Sequence, residues 1–151
     1  MPGYLFCRKI LQIFSGRRYR RGLIWQIRSY RQLEETHIME NVLYNDLIRR
    51  GMNVDVGVVE YNTKDANGKK IRKQLEVDFV VNGGGKRFYI QSALSIADPG
   101  KKEQEIESLK RIPDSFSKIV VTRDYLKPWQ DENGITYVGI EQFLLNEDLL
   151  K

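Results

Sequence analysis

Leu75-Glu76-Val77-Asp78-Phe79-Val80-Val81, followed across Asn82-Gly83-Gly84-Gly85 by Phe88-Tyr89-Ile90-Gln91-Ser92-Ala93, is the stretch on which the reading of this chain turns. Each half has the composition of a β-strand, and the glycine-rich step between them reads as a hairpin. Alternate side chains of a strand share a face. Leu75, Val77, Phe79 and Val81 are therefore expected on one side, with Glu76 and Asp78 on the other. On the second strand Phe88 and Ile90 oppose Tyr89, Gln91 and Ala93. Pairing the two strands brings Asp78 beside Gln91 and Ala93 on the more polar face.

The neighbours extend this hairpin to a meander. Valines 54, 56, 58 and 59 mark a preceding strand from Asn53 to Tyr61, and Asn67-Gly68 is a strong hairpin turn. Upstream, Met39, Val42, Leu43 and Leu47 recur at helical spacing. Thr36 is the expected N-cap of that helix, which places Glu40 in its first turn, and Gly51 is its C-terminal stop. Downstream, Asp98-Pro99 opens a second helix with its stripe at Ile106, Leu109 and Ile112, and Pro113 closes it. A strand follows over Lys118–Thr122, and a helix between two strands implies a parallel crossover. A turn at 131–134, a strand at Ile135–Gly139 and a closing helix at Ile140–Leu150 complete the order α-β-β-β-α-β-β-α. The fold class is α/β.

Composition bounds the rest. With 151 residues, 41% hydrophobic and 30% charged, the chain is long enough for one domain with a real core and has the balance of a globular protein. No run approaches the roughly 20 apolar residues of a membrane span. Arg8, Lys9 and Gln12 interrupt the apolar residues 4–14, so no signal peptide is read there, and a cytoplasmic protein with no membrane partner is expected. One cysteine and one histidine exclude an internal disulfide, a cysteine-based zinc site and a multi-histidine metal site.

The net charge of +5 is uneven. Residues 1–31 hold eight basic residues and no acid, and subtracting those eight leaves −3 for residues 32–151. Residues 1–33 are read as a basic segment, a linker or a remnant, and 34–151 as the domain. Within the segment, alternation at Leu23, Trp25 and Ile27 favours a strand, and Arg17, Arg18, Arg20 and Arg21 are candidates for nonspecific contact with DNA phosphates.

The set Met39-Glu40-Asn41-Val42-Leu43-Tyr44-Asn45, Asn53-Val54-Asp55-Val56-Gly57, Leu75–Val80 and Tyr89–Ala93, with Asp131–Ile135 and Glu141–Leu145, resembles the C-terminal domain of unknown function of a prokaryotic family of AAA-type ATPases. The resemblance covers about residues 36–150. It implies a restriction-endonuclease-like, or PD-(D/E)xK, core: helix, three-stranded meander, helix and strand, here with an extra C-terminal strand and helix. It also implies an ATPase module as partner, in the same or a neighbouring chain. No Gly-x-x-x-x-Gly-Lys-Ser/Thr occurs in this sequence, so that module's phosphate loop is not among these residues.

By the same resemblance, Glu40 stands where the nuclease class has its outer acid, and Asp78 where it has its central metal ligand. Gln91 replaces the second acid and Ala93 the lysine. Magnesium favours hard anionic oxygens, so Asp78 and Glu40 are the metal-binding candidates, and Mg²⁺ is expected only if the site cuts DNA. Glu76 is the possible substitute acid, and Lys73 or Lys86 the possible substitute cation. The reading that follows is a non-catalytic nuclease-like domain acting as an interaction or regulatory module. The alternatives are a nucleic-acid-binding module and an active Mg-dependent nuclease with a displaced lysine. Lys101–Glu105 is read as a solvated helix face, and Trp129 as a loop residue packed on the core.

Overall fold

The computed structural model describes the backbone of residues 27–150 and the side chains of residues 35–150. The expectations for Arg17, Arg18, Arg20, Arg21, Leu23 and Trp25 lie outside the described residues. Ile27 is helical rather than extended.

Helix α1 spans Ile27–Arg49, so it runs unbroken through Thr36 and across the 33/34 boundary. Thr36 is therefore not a cap, and Glu40 lies in mid-helix rather than in a first turn. What anchors the helix is a stripe of four-residue spacing: Met39, Leu43 and Leu47 are buried, while Ile38, Val42 and Ile48 on the far side are exposed. Strands β1 (Asn53–Lys64), β2 (Lys70–Gly83) and β3 (Lys86–Ala93) form the antiparallel meander. The first turn is built as its sequence predicts, with Asp65 Oδ1 accepting from Asn67 and Lys69 N–H and Gly68 at φ 77°.

Helix α2 (Pro99–Lys110) then crosses over, its first turn capped by Asp98 Oδ1, which accepts from Gly100 N–H at 2.8 Å. Strand β4 (Ser117–Thr122) returns parallel to β3, and β6 (Ile135–Gly139) lies parallel to β4. Between them a two-residue strand β5 (Trp129–Gln130), not read from the sequence, pairs with β6 through the turn at Asp131. Helix α3 covers only Ile140–Leu145, and a separate 3-10 turn, Glu147–Leu150, replaces the rest of the expected closing helix. The result is a mixed six-stranded sheet in the order β1-β2-β3-β4-β6-β5.

Both faces of the sheet are covered. On one side Met39, Leu43 and Leu47 of α1 and Phe143 of α3 pack on Phe79, Val81, Phe88, Ile90, Val121 and Val138. On the other, Ile106 and Leu109 of α2 pack on Val77, Tyr89, Ala93, Val120 and Tyr137. Tyr89 and Ala93 thus oppose Phe88 and Ile90, as alternation requires.

Strand β2 breaks the same rule. Val77 belongs to the α2 side and Phe79 to the α1 side, although their spacing is even. The cause is a bulge: Asp55 pairs with Val80 and Gly57 with Val77, so β2 carries one more residue than β1 across this step. Gly57 is what admits the bulge, because a Cβ there would sit 2.7 Å from Val80 Cγ2 and 3.1 Å from Val77 Cβ. Asp78 sits inside the bulge, and the expected shared face for Glu76 and Asp78 does not form.

Candidate functional site

The bulge turns Asp78 toward the carboxyl end of β3, where ligand sites of parallel sheets commonly gather. Its Oδ2 accepts from the Ser92 backbone N–H at 2.7 Å, and its Oδ1 accepts from Gln91 Nε2 at 3.0 Å. Gln91 is itself buried, and its Oε1 lies 3.5 Å from Ser108 Oγ on α2 and 3.4 Å from Asp78 N. The sequence's pairing of Asp78 with Gln91 is therefore realised by side chains. Ala93, at 1% exposure, is sealed into the apolar cluster with Val77, Tyr89 and Ile106. Ser92 Oγ is buried with no hydrogen-bond partner among the described residues.

Two further carboxylates bear on this point. Glu40 projects from α1, and its Oε2 lies 3.4 Å from His37 Nδ1. Glu105 projects from α2, half-buried rather than solvated as its charged neighbours suggest. It precedes Ser108 and Leu109 by three and four residues, so it shares their sheet-facing side. That spacing was the available signal for Glu105, and the run of charges around it concealed it.

The electrostatics follow from this grouping. Burial pushes the Asp78 carboxyl up to about 7, and the charges of Glu40 and Glu105 push the same way, against the Ser92 N–H and the Gln91 amide. Burial also raises Glu40, with His37 opposing it. Glu105 is raised by burial and then by the charge of Glu40. The charges that raise Asp78 are those of two carboxylates, Glu40 and Glu105.

The remaining candidates stand apart. Glu76 is exposed and paired across the sheet with Val58. Lys73 lies opposite Tyr61, and Lys86 opens β3 at the end away from Asp78. Glu40, Asp78 and Glu105 offer hard oxygens of the type magnesium takes, but both Asp78 oxygens already accept hydrogen bonds. Among the described residues no three of His, Cys, Asp or Glu are grouped closely enough to share an ion. Among the same residues no helix is long and apolar enough to cross a membrane. Trp129 packs at the sheet's margin, stacked on Tyr137 at 4.5 Å, with Lys102 Nζ over both rings.

The chain is similar to an uncharacterised protein of Haemophilus influenzae, with 27% identity over 107 residues. The match takes in 71% of this chain and spans only 22% of that longer protein. No family model matches the chain, and no solved structure matches it.

Proposed function

We propose that this chain is a nuclease-like domain of the restriction-endonuclease class that does not cleave, and that it serves a AAA-type ATPase module as an interaction or regulatory element. The observation that carries the reading is the state of the two positions beside Asp78. Where the class has a second acid, Gln91 donates its amide to Asp78. Where it has a lysine, Ala93 is closed into the core and offers no ammonium. Phosphodiester cleavage needs stabilisation of developing negative charge, and an alanine at this position supplies none. The order helix, meander, helix, strand, with both faces covered, agrees with the class. So does the similarity to part of a longer protein, the setting expected of a domain that works with another module.

A second reading, an active metal-dependent nuclease, is favoured by one observation: Glu105 supplies a third carboxylate close enough to Asp78 to raise it. The test is cleavage of supercoiled plasmid and of single-stranded DNA with Mg²⁺ or Mn²⁺, at neutral pH and at about pH 9, where Asp78 is ionised. The proposal expects intact substrate throughout. Cleavage that disappears in Asp78→Ala and in Glu105→Gln would replace it with the second reading.

A further inference from the structure

At the opposite end of β3 from Asp78, roughly 20 Å away along the strand, an open groove of about 410 Å³ lies beside the β2–β3 turn. Its walls come from the start of β1 (Asn53), the end of β2 (Asn82), the Gly83–Gly85 turn, Lys86 and Arg87 of β3, and Phe116 just before β4. Three features give it a chemistry. Both of its charged residues are cationic and none is acidic, in a region whose residues 32–151 carry −3. The Arg87 guanidinium is held in place, with Nε donating to Asn82 Oδ1 at 2.9 Å and Cζ 5.5 Å above the Phe116 ring. Phe116 is 46% exposed, an aromatic surface left open beside two cations.

Water already solvates isolated lysines and arginines well, so charge alone would make this an ordinary surface. An arginine fixed over an open ring is different, because it offers a flat π-surface and a phosphate fork side by side. The glycine turn adds room: a Cβ at Gly84 or Gly85 would meet nothing within 4 Å, so the backbone there is open to a ligand. Asn53 and Asn82 add amide donors and acceptors at the rim.

We propose that this groove binds single-stranded nucleic acid, with a base stacked at Phe116 and Arg87 and the adjoining phosphate held by Lys86 and Arg87. The site is separate from the carboxylate cluster and needs no metal. Its affinity is set by stacking, which tolerates any base, and by phosphate contact, which weakens with salt.

Fluorescence anisotropy of the full chain with a labelled oligothymidylate of about ten nucleotides tests this. Phe116→Ala is expected to weaken binding about tenfold, within the range of one lost base stack, with the salt dependence unchanged. Phe116→Tyr, which keeps the ring, is expected to bind as wild type does. Lys86→Gln and Arg87→Gln are each expected to lower the slope of log affinity against log salt by about 0.7. An oligomer of the same length with abasic sites should bind the wild type no better than the normal oligomer binds Phe116→Ala. Unchanged affinity in Phe116→Ala together with unchanged slopes in Lys86→Gln and Arg87→Gln would overturn the proposal and assign single-strand affinity to the basic residues 1–31. Equal affinity for the abasic and normal strands would overturn the stacking role and with it the site.

Discussion

Replacing Asp78 by Asn should stabilise the protein at pH 8, and the amount can be worked from the site. Folding moves this carboxyl from 3.8 to about 7, chiefly by burial. The folded state therefore binds the proton more tightly than the unfolded state. Below pH 4 both states are protonated and the group is neutral in the balance. Between about pH 4 and pH 7 the unfolded chain has lost the proton and the folded chain has not, so stability falls by about 1.4 kcal/mol per pH unit. Above about 7 the whole penalty is present, roughly 4 kcal/mol if solvent at the rim relaxed none of it, and ~2–3 kcal/mol with relaxation. An asparagine has no charge to bury. Its Oδ1 can accept from the Ser92 N–H, and its Nδ2 can donate to Gln91 once that amide turns over and offers its nitrogen to Ser108, at the loss of the long 3.4 Å contact from the residue-78 N–H. At an unfolding entropy of ~2.1 cal/mol/K per residue over about 120 residues, the gain at pH 8 corresponds to roughly 8–12 °C in melting temperature. Thermal melts of both proteins from pH 4 to pH 8 measure it, and the curves should converge near pH 4. An Asn variant no more stable than wild type at pH 8, or a wild type with no slope between pH 4 and 7, would refute the account of the site as an uncompensated carboxylate.

Two other changes probe the frame that holds the site. Arg50, only 7% exposed, donates Nε to Asp46 Oδ2 at 2.7 Å and its Nη groups to the carbonyls of Phe143, Leu144 and Asn146. Arg50→Met leaves those carbonyls and part of Asp46 unpaired, and chemical denaturation should show a loss of about 3–5 kcal/mol. Gly57→Ala forces its new methyl against Val77 and Val80, and should cost roughly 1–3 kcal/mol in the same assay. If it is neutral, β1 and β2 slide past the bulge more easily than their packing implies.

Much of the architecture was legible because local chemistry and global fold agree. The Asn67-Gly68 turn, the Asp98-Pro99 helix start and the valine-rich strands all form where their residue types predict. The start of α1 was not legible, since Thr36 has the chemistry of a cap yet the helix continues back to Ile27. A capping residue can always be carried inside a longer helix when its neighbours also favour helix. The faces of β2 were misread for a different reason. Strict alternation assumes an unbulged strand, and the contrary signal was on β1, in the single glycine Gly57 among valines. Arg50 follows the last turn of α1, where a basic residue ordinarily complements the helix dipole. It instead reaches across to cap the end of α3, a contact 93 residues away for which local sequence holds no signal.

The bulge and the carboxylate cluster are one feature seen from two sides. Without the extra residue in β2, Asp78 would continue the alternation of Glu76 and stand on a strand face. With it, Asp78 leaves the ladder, and its own oxygens take the Ser92 N–H and the Gln91 amide. The arrangement needs Gly57 to be small, a half-buried Glu105 on α2 and a half-buried Glu40 on α1, each raised by burial. An apolar residue or an amide at position 78 would relieve the repulsion among these groups. The carboxylates of Glu40 and Glu105 both act to raise Asp78 at the carboxyl end of β3. On the proposed reading, such a grouping of acids disfavours a phosphate and favours a basic side chain of a partner protein.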